Sequence, residues 1–256
     1  STRHVPILPS AWMLRARPSA RSPWAWGRTT RFSRLVALKE NPINAAPRQR
    51  LSPEERERLI VDGAIAFFAE VGLGGQTREL AQRLGVTQPL IYRYFPTKQD
   101  LIDRVYEEVF VGRWRPEWTD LISDQSRDLR DRLIDFYRIY ARDVLTYEWI
   151  RIYMFAGLAG EDINRRYIGL LEDQLLVPIV TEVRKAAGAP GLDEVPVSTL
   201  EIEATWHIHA AVFYYFVRKH IYQAKTEADL DAFIIDAVDR TLDGALAVTR
   251  RDVLPR

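Results

Sequence analysis

Apolar residues recur along this chain at helical spacing, and the pattern predicts an all-α protein with no strand signal. A first helix starts at Ser52-Pro53-Glu54-Glu55, where a capping Ser, a Pro at the first helical position and a Glu three residues on make a capping box. Ile60, Ala64, Phe67, Phe68 and Val71 follow at helical intervals. Thr77 stands where it can cap a short helix carrying Leu80, Ala81 and Leu84 on one face; Gly85 ends that helix, and Thr87 can cap the next. Ile91 and Phe95, four apart, face inward there. Leu101, Ile102, Val105 and Val109 make a fourth helix, with Gly112 and Pro116 as a boundary. Beyond it the pattern predicts four long helical segments: 126–155 with a break near Thr146, 162–187 kinked at Pro178, 198–222 and 227–248.

The stretch Thr77 to Leu101, TRELAQRLGVTQPLIYRYFPTKQDL, reads as two short helices joined by a tight turn, with a third starting at once. That arrangement places one helix in the major groove of DNA. Tyr92, Arg93 and Tyr94 fall on or near the outer face, where phenol and guanidinium donors meet phosphates and base edges. Arg78, Arg83, Arg93 and Lys98 outnumber the acids of the stretch, Glu79 and Asp100. Two readings stay open for several of these residues. Thr77 and Thr87 are caps alone, or caps whose hydroxyls also bond a phosphate; Tyr92 is a half-buried core phenol or a phosphate contact. Lys98, one residue after the cap Thr97, is unfavourable for the dipole of its own helix, which argues for an anionic partner outside it.

The block from about Leu59 to Val105 resembles the DNA-binding domain of the TetR family of bacterial transcription regulators. The residues that carry the resemblance are Gly72, Thr77, Leu80-Ala81, Gly85-Val86-Thr87, Ile91-Tyr92-Arg93-Tyr94-Phe95, and Lys98 with Asp100-Leu101. Tyr94 departs from the His common in the family, and Gly74-Gly75-Gln76 departs from its usual small-residue lead-in. The resemblance implies an operator of double-stranded DNA, with Arg50, Thr77, Arg78, Thr87, Gln88, Pro89, Tyr92, Arg93, Tyr94 and Lys98 as the contacting residues. It also implies a C-terminal effector pocket and a two-fold dimer built on the last two helices.

Charge adds a third region. The chain of 256 residues has a formal net charge of +1, but residues 1–50 hold nine Arg and one Lys against Glu40, which leaves 26 basic and 34 acidic residues in the remainder. Pro6, Pro9, Pro18, Pro23, Pro42 and Pro47 break that first segment, which reads as a disordered basic extension. It is a basic arm that follows DNA, with Arg48 and Arg50 beside the first helix, or an inert tail. The expected division is therefore 1–47 extension, 48–113 helix-turn-helix DNA-binding domain, and 114–256 helical ligand-binding and dimerisation domain. No apolar run approaches the length of a membrane helix, and the absence of cysteine excludes disulfide and thiolate chemistry and fits a cytoplasmic protein.

The last two helices are apolar on more than one face, which calls for a neighbour in the same domain and another in a second subunit. Phe213, Val217, Leu230, Phe233, Ile234 and Ala237 are the residues expected at that homodimer interface. The middle helices are dense in aromatic residues. Plain core packing accounts for most, yet a core built for stability alone favours aliphatic residues, so Tyr137, Tyr140, Trp149, Tyr153, Trp206, His207 and Phe213 are expected to line a pocket for a small hydrophobic effector. Catalysis has a single candidate, Glu203 with His207 and His209, but the two imidazoles point in nearly opposite directions on a helix. No metal, cofactor or catalytic residue is expected. The reading is a ligand-responsive transcription regulator, a repressor released from a palindromic operator; a constitutive architectural DNA-binding protein and a helical-bundle enzyme are the alternatives.

Overall fold

The computed structural model of the protein describes residues 51–227 and 229–252; the basic segment 1–50, with Arg48 and Arg50, lies outside them. Among the described residues every regular element is a helix. The first is α1 (Pro53–Val71), opened by the expected capping box: the Glu55 amide donates to Ser52 Oγ at 3.1 Å and the Ser52 amide to Glu55 Oε2 at 2.7 Å. Then come α2 (Thr77–Leu84), α3 (Gln88–Tyr94) and α4 (Lys98–Tyr106). Thr77 is the first residue inside α2 rather than its cap, a place taken by Gln76; Thr87 does occupy the cap position of α3, without a side-chain capping bond. Gly85 closes α2 at φ 65°, a left-handed conformation that costs a side-chain-bearing residue. A Cβ on Gly63 would come within 2.3 Å of Leu84 Cδ2, so α1 and α2 pack this closely only because that position has no side chain.

The fourth helix runs straight into a π-helical turn, Glu107–Val111, which places Phe110 against the rest of the chain. Next is α5 (Glu117–Ser123), a short helix the pattern did not announce, burying Trp118 and Ile122. The segment expected at 126–155 is two helices, α6 (Leu129–Asp143) and α7 (Tyr147–Ala159), with Thr146 capping the second from the break. Likewise 162–187 is α8 (Ile163–Leu171), a π-helical turn over Glu172–Leu176, and α9 (Val177–Ala187). Pro178 explains that turn: its ring crowds the carbonyl four residues back and offers it no N–H, so the helix widens there. The freed Gln174 carbonyl accepts from Thr119 Oγ1 at 3.5 Å. The last two are α10 (Thr199–His220), capped by a Ser198–Glu201 box, and α11 (Leu230–Asp252).

One continuous core joins the first four helices to the bundle behind them. Helix α1 packs on α7, and Arg151 on α7 donates to the Ala69 carbonyl and, at 3.2 Å, to that of Glu70. Arg166 on α8 lies 4.0 Å from the Tyr106 ring centroid and 3.3 Å from Asp103. Two buried ion pairs organise the far side. Arg132 bonds Glu182 at 2.8 Å; burial alone would raise the Glu182 carboxyl, but Lys185 and Arg132 outweigh it and hold it below the usual carboxylate range. Arg184 bonds both Glu201 oxygens, at 2.7 and 2.8 Å, and also donates to the carbonyls of Pro190, Gly191, Val195 and Pro196, tying down the α9–α10 loop.

His209 is buried and lies among Tyr137, Tyr140 and Trp206, and burial pushes its imidazole down to about 4. The folded protein therefore binds fewer protons than the unfolded chain between the ordinary value of 6.5 and about 4. The stability linked to His209 is whole above pH 6.5 and is lost as the pH falls through that window. Denaturant unfolding should show about 2 kcal/mol lost between pH 7 and 5 from this group, and His209→Leu should remove that slope. An unaltered slope in the variant would assign the acid limb to other groups.

Candidate nucleic-acid interface

The second and third helices are held at their angle partly by one hydroxyl. Thr77 is 6% exposed, and its Oγ1 lies 3.0 Å from the Tyr92 hydroxyl and accepts from Gln88 Nε2 at 2.9 Å. The first residue of α2 thus meets both the first residue of α3 and the one a turn further on. Tyr92 keeps its ring 38% exposed while its hydroxyl is fixed by this contact. Ile91 and Phe95 are buried as the i,i+4 pattern requires, and Tyr94, half-buried, packs on the core edge.

Around this hinge the cations divide into two sets. Arg83 bonds Glu70 at 2.6 Å and Glu79 at 2.9 Å and lies over the Phe67 ring, so it braces α2 against α1. Arg78, Arg93 and Lys98 form no ion pair among the described residues. Thr87, Pro89 and Arg93 are exposed, and Gln88 and Lys98 half-exposed, at the start of α3 and α4. The Thr97–Asp100 box, at 3.1 and 2.8 Å, fixes the backbone that carries Lys98. Chemically this is a short helix whose exposed side offers a phenol, an amide and unpaired cations beside helix N-termini, a surface suited to a polyanion. Arg50 falls outside the described residues.

The residues expected around a pocket are arranged differently. Tyr137, Tyr140 and Trp149 are fully buried, and with Tyr153, Tyr167, Trp206 and Phe213 they pack ring on ring. Trp149 stacks on Tyr153 at 4.8 Å, and the Tyr140 and Tyr167 hydroxyls meet at 2.7 Å. Burial raises the phenols of Tyr137, Tyr140 and Tyr167, which stay protonated. His207 alone of the expected set lines a cavity of about 850 Å³, which lies elsewhere, between α9, α10 and α11. Its other walls include Val183, Ala204, Gly244, Ala245 and Val248, small or β-branched residues that aromatic density does not point to. The signal for them was the low side-chain volume of Ala204 and of Gly244-Ala245 within otherwise bulky helices.

The last two helices are also divided otherwise than the pattern suggested. Val217, Ile234 and Ala237 are buried inside this chain, and Phe213, Leu230 and Phe233 are half-buried against its core. The exposed line on α10 runs through Leu200, Glu203, His207, Ala210 and Tyr214, and on α11 through Ala232, Asp236, Arg240, Gly244 and Ala247.

A profile described as "Bacterial regulatory proteins, tetR family" matches residues 60–105, which span α1 to α4. The helix-turn-helix part of this chain is thus similar to the DNA-binding part of TetR-family regulators. LuxR, an HTH-type transcriptional regulator of Vibrio harveyi, is 38% identical over 68 residues, 26% of this chain and 33% of its own. The class A tetracycline repressor protein from transposon 1721 of Escherichia coli is 33% identical over 93 residues, 32% of this chain and 43% of its own. The matches thus cover less than half the length of either relative. A solved structure from Pseudomonas aeruginosa PAO1, described as a transcriptional regulator, superposes with a TM-score of 0.61 over 80% of this chain and 97% of its own, at 18% identity. That likeness is one of fold alone, and it takes in the helical bundle as well as residues 60–105. The TetR family is one of regulators rather than catalysts. Among the described residues no helix is long and apolar enough to cross a membrane.

Because one hydroxyl serves both Tyr92 and Gln88, Thr77→Val should destabilise the TetR-type reader by about 1 kcal/mol or more in denaturant unfolding. In a double-mutant cycle, Tyr92→Phe should cost less in the Thr77→Val background than in the wild type. Strict additivity would show the 3.0 Å contact to be energetically idle.

Proposed function

We propose that this chain is a homodimeric repressor that binds a palindromic DNA operator through residues 48–113 and leaves it when a small hydrophobic effector binds between residues 114 and 256. The observation that carries the DNA-binding part is the unpaired set Arg78, Arg93 and Lys98 beside the fixed Tyr92 hydroxyl, in a chain where Arg83, close by, is neutralised twice over. In this reading Lys98, Tyr92, Thr87 and Arg78 meet phosphates, and Gln88, Pro89, Arg93 and Tyr94 sit towards base edges. Thr77 acts behind them, through Tyr92 and Gln88. Lys98→Ala and Tyr92→Phe should weaken binding to every sequence alike. Replacing Arg93 or Gln88 should change base preference, with about 1 to 3 kcal/mol lost at a true base contact. Gel shifts across operator variants decide it: undiminished binding by both Lys98→Ala and Tyr92→Phe removes the phosphate assignment.

The dimer is supported by the exposed apolar residues on α10, Leu200 at 65% and Tyr214 at 52%, which no element among the described residues covers. Two-fold pairing along that line would set two recognition helices about 34 to 36 Å apart, one turn of DNA. Sedimentation should give a dimer at micromolar concentration, and Tyr214→Asp with Leu200→Asp should give a folded monomer, because neither side chain belongs to the core. A wild-type monomer would end this part of the reading. The effector is supported by the cavity between α9, α10 and α11, whose volume of about 850 Å³ suits a small molecule.

A further inference from the structure

Helix α1 ends against its own electrostatics. The negative end of its dipole carries Glu70 in the last turn, and α1 brings no basic residue of its own there. The Phe68 carbonyl takes the Gly72 amide, but among the described residues no backbone amide reaches the carbonyls of Ala69 and Glu70. Two cations from different parts of the chain answer this end. Arg83 of α2 bonds the Glu70 carboxylate at 2.6 Å and lies over the Phe67 ring. Arg151 of α7 donates to the Ala69 carbonyl and, at 3.2 Å, to that of Glu70. Glu70 is therefore held by its backbone from the bundle and by its side chain from the reader.

Arg151 is itself fixed. Its guanidinium lies 5.4 Å from the Tyr147 ring centroid and 5.2 Å from that of Phe155, one turn before it and one turn after it on α7. The Phe155 ring in turn fits against the backbone of Gly72, where a Cβ would lie 3.2 Å from it. One face of α7 thus wraps the end of α1. Trp149 and Tyr153, two residues to either side of Arg151 and nearly opposite it on the helix, stack on each other within the aromatic centre. From the end of α1 the ties continue through Glu70 and Arg83 to α2, and through Thr77 to Gln88 and Tyr92 on α3. A body held only at the α4 joint is free to pivot about it; a second attachment removes that freedom.

We propose that Arg151 is the positioning residue that sets the angle of the helix-turn-helix on the bundle: by capping α1 from α7 it passes a turn or shift of α7 to α2 and α3. The fork of the guanidinium suits this task, since it spans two carbonyls where a lysine offers a single point charge. The positional claim stands on these contacts alone; only its consequence for the operator rests on the repressor reading above.

The chain has no cysteine, so introduced thiols take spin labels alone. Nitroxides on Gln82→Cys of α2 and Asp131→Cys of α6, both exposed positions, report the distance from reader to bundle by pulsed dipolar spectroscopy when labelled chain is diluted with unlabelled chain. The otherwise unaltered chain should give one narrow distance. Arg151→Met, which keeps an aliphatic stem and removes the donors, should add a second distance about 2 Å or more away, the scale of helix shifts at packed joints. Arg151→Lys, which keeps a cation at the carbonyls, should restore most of the narrow component. Ile152→Val controls for plain loss of stability: it trims a buried side chain of the same helix and should leave the distance unchanged. An unchanged distance in Arg151→Met, or the same change in Ile152→Val, would overturn the proposal. Operator binding is read separately by gel shift, with a duplex selected by the chain from a random pool and an unrelated duplex of equal length. Arg151→Met should weaken the first about fivefold or more and spare the second, because only a specific site requires two readers at fixed spacing. Equal loss on both duplexes would overturn the step from α7 to the operator, and a pool that yields no preferred duplex removes the repressor reading; neither alters the distance result.

Discussion

The contact on which the molecule depends is the burial of Phe110 against Trp149, Tyr153 and Tyr167, at ring separations of 5.1, 6.2 and 5.5 Å. Phe110 sits on the π-helical turn that ends α4, and α4 begins in the Thr97–Asp100 box beside the recognition helix. One short helix therefore has its first turn in the reader and its last in the bundle. The extra residue of the π turn rotates Phe110 relative to Leu101, Ile102 and Val105, so one element buries two differently directed faces. Arg166 over Tyr106 and Arg151 on the end of α1 add polar ties on either side of the same junction. Packed interfaces of this kind move between discrete arrangements rather than bending smoothly. For a repressor, this is the joint whose two arrangements would differ.

Electrostatics divide the arginines by task. Across the bundle they are paired: Arg130 with Asp239, Arg138 with Asp231, Arg132 with Glu182 and Arg184 with Glu201. Exposed pairs of this sort contribute little to stability, whereas the two buried ones are costly to break once formed, because either partner alone would be an uncompensated buried charge. In the reader the pattern reverses. Arg83 is neutralised, and Arg78, Arg93 and Lys98 form no ion pair among the described residues. Other cations, Arg56, Arg58, Arg218 and Arg250 among them, also lack an ion pair among the described residues; what marks Arg78, Arg93 and Lys98 is their place on the helix-turn-helix, around the fixed Tyr92 hydroxyl.

What was legible in the sequence was what local physics decides. The box at Ser52, the turn at Gly85, the Ile91–Phe95 pair, the break at Thr146 and the disturbance at Pro178 are all set within four or five residues, and each stands where the pattern put it. The helix-turn-helix was therefore readable before any coordinates. Helix α5 was not, because two turns after Arg115-Pro116 carry too few apolar positions to establish a period. Nor was the use of each face on α10 and α11: wide apolar stripes state that two neighbours exist, but not that Val217, Ile234 and Ala237 turn to the inner one. The aromatic cluster shows the same limit. Composition counts the rings of Tyr137, Tyr140 and Trp149, while only the packing says that they fill each other's space.

That closure makes the aromatic centre and the cavity complementary rather than competing features. Rings stacked, tilted and edge to face around Trp149 give the α4 junction a rigid seat, and interiors packed so tightly transmit displacement instead of absorbing it. The cavity lies on the opposite flank, where the small side chains of Ala204, Gly244 and Ala245 leave space between α10 and α11 unfilled and the Arg184 clamp holds the α9–α10 loop at its rim. Helix α10 belongs to both: His209 faces the aromatic centre, and His207, two residues earlier and nearly opposite on the helix, faces the cavity. The His209 side of α10 rests against Tyr140, whose hydroxyl is tied to the Tyr167 that supports Phe110. From α10 to the end of α4 the contacts run through His209, Tyr140, Tyr167 and Phe110, ring to ring except for one hydroxyl pair.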